Sequence, residues 1–326
     1  MYGCIFVFYL QYHLVYLSRR SIMKKIKTKL TKRSLYSVII TSLAIIISIT
    51  SISISYCYNR KDNDALTTDS INDNSDNPKV YNHLQNELGK HVHVGVSALG
   101  RNYTDDALVV AQKLNASDCA NNGHKVVYLT FDDGVSTTST RKVLDILRNY
   151  DVHATFFVTG VSLIEGGDRA ASLLKQAFND GHAIGNHSYS HNYKYLFPNR
   201  VLNLDNFVAD YKENDKLLSK ILGPSFVTRV IRCPGGRMSW QGIEALDNYT
   251  KENHIAAVDW NALNGDAEGN TKNAQELYNF AVATSQGKEL VVLLMHDDYG
   301  KQATVDALPK IIEYFKSNGY DFRTLS

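Results

Sequence analysis

Four short stretches of this chain carry residue types and spacings suited to metal-assisted hydrolysis. The apolar run Val126-Val127-Tyr128-Leu129-Thr130-Phe131 stops abruptly at Asp132-Asp133-Gly134. Two carboxylates closing a buried strand are costly unless something holds them. The plainer alternative is a turn, because Asp-Gly is a good turn pair. His187 and His191 stand four residues apart in Gly185-Asn186-His187-Ser188-Tyr189-Ser190-His191. On a helix that spacing would place both imidazoles on one face, where they can share a metal. The chain has 11 histidines, so the pair alone is ambiguous. Beside a strand-end acid, however, it completes a two-His, one-carboxylate set that suits zinc, and iron or cobalt nearly as well. Arg232-Cys233-Pro234-Gly235-Gly236 follows another apolar run. Its guanidinium can orient a carboxylate through a bidentate pair, or simply occupy a surface turn. Finally, Val291-Val292-Leu293-Leu294-Met295 leads into His296. A lone histidine at a strand end is more often structural than catalytic.

These residues need a scaffold that brings strand ends together. From Lys125 onward short apolar runs alternate with amphipathic stretches. Strands are expected at Val126–Phe131, Ala154–Val158, Ala183–Gly185, Val230–Arg232, Ala256–Val258 and Leu290–Met295. Helices are expected at Ser139–Asn149, Ala170–Asn179, Asp205–Leu222, Ala274–Thr284 and Val305–Asn318. Such alternation argues for an α/β fold with a parallel sheet. Six or seven units in roughly 200 residues suit a distorted (β/α)7-type barrel, slightly smaller than the eightfold one, with its chemistry at the C-terminal strand ends.

The N-terminal part reads differently. Leu35 to Tyr58 carries no charge and follows Lys24, Lys25, Lys27, Lys29, Lys32 and Arg33. About 20 apolar residues cross a bilayer, and the basic flank stays cytoplasmic. Residues 35–58 are therefore expected to be a transmembrane helix and 1–34 a cytoplasmic N-terminus, with everything later extracellular; a cleaved signal peptide and a lipoprotein anchor at Cys57 are the alternatives. Met23-Lys24-Lys25 resembles a natural start better than Met1 does. Residues 59–90, rich in Asn, Asp, Ser and Thr, read as a flexible linker. Residues 91–124 read as a neck containing a helical-looking Thr104–Ala111, and 125–326 as the catalytic domain. The net charge of +2 implies no nucleic-acid partner, and nothing implies an obligate protein partner. Of four cysteines only Cys119 and Cys233 fall in the expected ectodomain, where a disulfide between them is open.

Taken together, the motifs resemble those of the polysaccharide deacetylase family, the NodB homology domain of carbohydrate esterase family 4. The resemblance spans roughly Lys125 to Ser326. Thr130-Phe131-Asp132-Asp133-Gly134, His187-Ser188-Tyr189-Ser190-His191, Arg232-Cys233-Pro234 and Leu294-Met295-His296 match its first, second, third and fifth motifs. The fourth departs: Asp266 or Asp259 takes the motif aspartate, and with Asp266 the usual groove Trp becomes Ala267. The resemblance implies that Asp133, His187 and His191 hold a divalent metal, zinc first and cobalt as an alternative. It makes Asp132 the general base, Arg232 its holder, His296 the general acid and Asp266 the partner of His296. Tyr189, Pro234, Gly235, Trp260 and Leu294 would bind substrate, with an oxyanion donor among the backbone N–H groups near Tyr189 or Ser190. The implied substrate is an N-acetylated polysaccharide: peptidoglycan N-acetylglucosamine first, then poly-N-acetylglucosamine or chitin-like oligomers. An O-deacetylase such as an acetylxylan esterase shares every motif. A non-catalytic carbohydrate-binding protein would be expected to have lost the base or a ligand, and all are present.

Overall fold

The computed structural model describes residues 93–114 and 121–326. The expected start at Met23, the cytoplasmic segment, the apolar span 35–58, the linker 59–90 and Cys119 lie outside the described residues. Cys233 is a buried free thiol. Among the described residues no helix is long and apolar enough to cross a membrane.

The chain opens with β1 (His93–Val94), β2 (Thr104–Asp105) and α1 (Ala107–Leu114). Then come β3 (Val126–Asp132), α2 (Ser139–Asn149), β4 (Thr155–Val158), α3 (Gly160–Asn179) and β5 (Ala183–Asn186). Two helices, α4 (Tyr193–Leu196) and α5 (Leu204–Leu222), lead to β6 (Phe226–Val227), β7 (Val230–Ile231) and α6 (Glu244–Glu252). The last part holds β8 (Ala256–Ala257), β9 (Ala262–Leu263), α7 (Ala274–Ser285), β10 (Leu290–His296), α8 (Gln302–Ser317), β11 (Asp321–Phe322) and β12 (Thr324–Leu325). The main sheet runs β8-β7-β5-β4-β3-β10-β9, with β11 added on β3, and its pairs are parallel. Its seven-strand path curls into a half-barrel, the open form that the distorted (β/α)7-type barrel expected takes here. The end strands β8 and β9 are two residues long and pair with β7 and β10, not with each other.

The expected helix at Thr104–Ala111 forms only in part. Thr104 and Asp105 pair with Thr324 and Leu325 instead, and the Asp106 carboxylate accepts the N–H groups of Leu108 and Val109, so the helix begins after it. Arg323 reaches back to Asp105 and to the carbonyls of Asn102 and Thr104. Residues 102–105 are thus stitched to the C-terminal strands, while β1 pairs with β6.

Side-chain alternation along β3 decides where the chemistry points. Val127, Leu129 and Phe131 pack outward with Leu144, Leu147, Leu308 and Phe315 under the helices. Val126 and Tyr128 face inward with Phe157, Val230 and Val292. Asp132 shares the inward parity of Val126, Tyr128 and Thr130. On β10, Val291, Leu293 and Met295 face the helices while Leu290 and Val292 face inward, so His296 does too. The register pairs His296 with Asp132 directly. A slip of one residue would bury both groups among the helices.

His182 shows how the core depends on a neutral imidazole. It is 2% exposed, packs its ring against Phe156 and His153, and accepts the Ala154 N–H on Nδ1 at 3.2 Å. Burial, followed by the charge of His153, pushes its pKa down to about 3. The unfolded chain takes up that proton near pH 6.5, so this contribution is complete above about pH 6.5 and is lost as pH falls toward about 3. His182→Gln is expected to remove about 2 kcal/mol of the stability loss between about pH 6.5 and pH 5. Urea unfolding of both proteins across that range is the check; parallel losses would show that His182 does not titrate this way.

Candidate active site

The C-terminal ends of β3, β5, β7 and β10 and the loops after β8 and β9 meet at one cleft of about 170 Å3. Asp132, Asp133, His187, His191, Asp266 and His296 line it, with Tyr193, Gly235, Trp260 and Leu294.

Asp132 ends β3 and is 2% exposed. Arg232, 1% exposed, donates from Nη1 to Asp132 Oδ1 at 2.8 Å and to Thr130 Oγ1 at 2.7 Å. Its Nε and Nη2 donate to the carbonyls of Val258 and Asp259, and its guanidinium lies 4.1 Å from the centroid of Phe157. The bidentate pair expected from the sequence is therefore a single bond. The rest of the guanidinium is spent on Thr130 and on the carbonyls just past β8, which locks it in place.

Asp133 turns away from the strand through a left-handed backbone, φ 69°. That conformation is uncommon outside glycine and collects at functional sites. Its Oδ1 lies 3.2 Å from His191 Nε2 and 3.5 Å from His187 Nε2. His187 Nδ1 sits 2.8 Å from the Arg232 carbonyl, so Nδ1–H donates to it and Nε2 is the nitrogen turned toward Asp133. Burial, then the neighbouring His187, pushes the pKa of His191 down to about 4, so it is neutral at pH 7. Asp133 Oδ1 is buried without a hydrogen-bond partner. A carboxylate oxygen and two imidazole nitrogens thus converge, all ligand atoms within 4.8 Å of one another. Such a set is mutually repulsive on its own and fits a divalent cation.

The residues from His187 to His191 are not helical. The His187 N–H goes to the Val158 carbonyl and the others go to side chains: Ser188 to Asn186 Oδ1, Tyr189 and Ser190 to Asp210 Oδ1 at 2.7 and 3.0 Å, and His191 to Ser188 Oγ. Ser188 and His191 have φ of 71° and 48°. The imidazoles meet because this loop bends back, with centroids 5.0 Å apart. The oxyanion donor expected near Tyr189 or Ser190 is corrected as well, since both N–H groups are committed to Asp210. The Tyr189 ring packs on Gly160, where a Cβ would lie 2.2 Å from it. Pro234 is buried behind the cleft, and its carbonyl accepts Trp240 Nε1.

Of the two candidate aspartates, Asp266 is the one beside His296. Its Oδ1 lies 2.7 Å from His296 Nδ1, and its Oδ2 accepts the His296 N–H and the Thr304 hydroxyl. Asp259 instead accepts the Arg237 N–H, and burial pushes its carboxyl up. Burial alone would lower the pKa of His296. The hydrogen bond and charge of Asp266, with Asp132 and Asp133 beyond, overcome it and raise the pKa to about 9. His296 Nε2 points into the cleft, 4.0 Å from Asp133 Oδ2.

Sequence reasoning missed Asp210, Asn214 and Tyr193. Asp210 and Asn214 are buried, and Asn214 Nδ2 donates to Asn186 Oδ1 and the Val158 carbonyl, bracing the same loop. The signal was two polar residues four apart on the buried stripe of α5 that also holds Phe207, Tyr211 and Leu218. Tyr193 sits in a four-residue helix too short to leave a periodic pattern.

This arrangement is suited to metal-assisted hydrolysis, with a held carboxylate on one side of the candidate ligands and a charged imidazole on the other. Comparison with known proteins narrows the class. The sequence profile of the polysaccharide deacetylase family matches residues 120–253. A Bacillus cereus protein named peptidoglycan-N-acetylglucosamine deacetylase is 32% identical over 208 residues, 63% of this chain and 88% of that protein. The structure of a Streptococcus mutans CE4 esterase superposes with a TM-score of 0.65 at 36% identity, covering 72% of this chain and 96% of that one. The catalytic domain of peptidoglycan N-acetylglucosamine deacetylase from Eubacterium rectale matches at 28% identity and a TM-score of 0.55, over 65% of this chain and 94% of that one. The chain belongs to the polysaccharide deacetylase family.

Proposed function

We propose that this chain is a zinc-dependent hydrolase that removes N-acetyl groups from N-acetylglucosamine of cell-wall glycan. The observation that carries the reading is the convergence of Asp132–Arg232, Asp133–His187–His191 and His296–Asp266 on one cleft. The names of the relatives supply the substrate class, and cobalt fits the same donors.

Asp133, His187 and His191 would hold the ion. Bound there, a divalent cation supplies Lewis-acid polarisation of an acyl oxygen and a lower pKa for water. The chain's own groups do the rest. Asp132, with Oδ1 pinned by Arg232, keeps Oδ2 toward the ligands, 3.6 Å from His187 Nε2, and takes the proton of the attacking water. His296, charged at pH 7, delivers the Nε2 proton to the departing amine while Asp266 fixes Nδ1–H. Trp260, Leu263 and Leu294 give the acetyl group an apolar surround. Acetate is released and the glycan keeps a free amine.

The reading is tested by loading the full-length chain with zinc and measuring acetate release from peptidoglycan and N-acetylglucosamine oligomers, with acetylated xylan as the ester control. Release from xylan alone would replace it with O-deacetylation. We further propose that residues 35–58 anchor the chain with its catalytic domain outside the cell, a reading supported by their uncharged apolar run and basic flank. Alkaline extraction of membranes and protease treatment of intact cells check that placement; recovery in the soluble fraction would refute it.

The raised pKa of His296 fixes the alkaline limb. The acid form persists up to about pH 9, so kcat/KM is expected to fall as pH rises through that value. Asp266→Asn removes the charge that holds the proton, so the limb moves down toward about pH 6.5. A pH–rate profile of the variant with an unmoved limb would rule His296 out as the acid.

A further inference from the structure

The cleft has an aromatic wall that none of the chemistry above uses. Tyr193 opens α4 beside His191, their ring centroids 5.1 Å apart, and is 43% exposed. It is held rigidly for so exposed a ring. The Asn192 side chain caps the helix by accepting the N–H groups of Lys194 and Tyr195. Behind it stands Trp240, with centroids 5.1 Å apart. Trp240 is itself stacked on the buried Phe197 at 4.1 Å and 1°, and tied by Nε1 to the Pro234 carbonyl at 2.8 Å. Gly235, with φ 74°, lets the cleft floor run close to both rings, because a Cβ there would lie 3.2 Å from Trp240 and 3.3 Å from the Tyr193 hydroxyl oxygen. Across the cleft, past Asp266, the corresponding rim is Ala267 and Glu268, both exposed and neither aromatic.

We propose that Tyr193 is the stacking platform for a second sugar ring, the pyranose next to the one that carries the reacting acetyl group, with Trp240 and Phe197 as its fixed backing. A pyranose presents an apolar face of C–H groups and a polar rim, which an exposed, immobilised aromatic ring matches at small entropic cost. The asymmetry of the walls sets direction: the glycan chain is gripped on the His191 side and runs free past Ala267. The inference rests on the glycan-deacetylase reading and is tested without turnover.

Equilibrium binding of N-acetylglucosamine and of its pentasaccharide to the zinc-loaded full-length chain is measured for wild type, Tyr193→Ala and Tyr193→Phe, with bound zinc quantified in each. The expected result is about tenfold weaker pentasaccharide binding for Tyr193→Ala, unchanged monosaccharide binding, unchanged zinc and near wild-type binding for Tyr193→Phe. Unchanged pentasaccharide binding in Tyr193→Ala overturns the platform. So does a loss that merely follows zinc, which would make Tyr193 a support of His191, and so does a wild type that does not bind the pentasaccharide. A wild type that binds the pentasaccharide in a Tyr193-dependent way but releases no acetate sinks the deacetylase reading and leaves the platform standing.

Discussion

Asp132→Asn is expected to lower acetate release by about 10³-fold, within the range for losing a positioned general base, while zinc occupancy stays at the wild-type level. The split follows from the geometry. Asp132 Oδ1 is bound by Arg232, whereas the oxygen set between the two imidazoles, and proposed to hold the ion, is Asp133 Oδ1 on the next residue. An amide fills the same space and still accepts from Arg232, but it cannot take a proton. His187→Ala should lose activity and zinc together, because its Nε2 is one of the three atoms proposed to hold the ion. Steady-state acetate release with metal quantified on the same sample separates the two. Near-normal turnover in Asp132→Asn would remove the base assigned here, and lost zinc in that variant would place Asp132 among the ligands.

Arg232→Leu is expected to destabilise the fold by about 3–5 kcal/mol, the usual result of stripping one partner from a buried ion pair. Four acceptors lose a donor at once: Asp132, Thr130 and the carbonyls of Val258 and Asp259. The carboxylate left behind is 2% exposed and loses the charged partner of its Oδ1. With Oδ1 no longer held by Arg232 the base is also free to leave its position, so activity falls as well. Asp132→Asn in the same chain should restore part of the stability, because a neutral amide tolerates the unpaired site better than a charge does. Urea unfolding of the two single variants and the double variant closes the cycle. A loss below about 1 kcal/mol for Arg232→Leu, or strict additivity in the double variant, would show that the pair is not coupled as described.

The sequence by itself determined the alternation of strands and helices and the identity of the chemical groups. Periodicity was sufficient where elements are long. β3 and β10 lie at the positions read from their apolar runs, each extended by the functional residue itself, and α2 spans the residues expected. Short pieces escaped. β6, β9, β11 and β12 are two residues each, too brief to carry a period, and α4 is a single turn. For the site, residue type and order suggested a two-His, one-carboxylate set, and the family resemblance supplied Asp133 as the carboxylate that would join His187 and His191.

Only the tertiary structure decided how those groups meet. His187 and His191 converge through a loop, not a helix, since Asp210 and Asn186 take the N–H groups that a helix would have used. Asp266 rather than Asp259 reaches His296, because the strand register carries β10 past the loop that follows β9. Arg232 meets Asp132 across 100 residues of chain because alternation turns both into the half-barrel. Spacing in sequence fixes what can meet within one element; meetings between elements depend on register and on which donors are already taken, and both are properties of the packed fold.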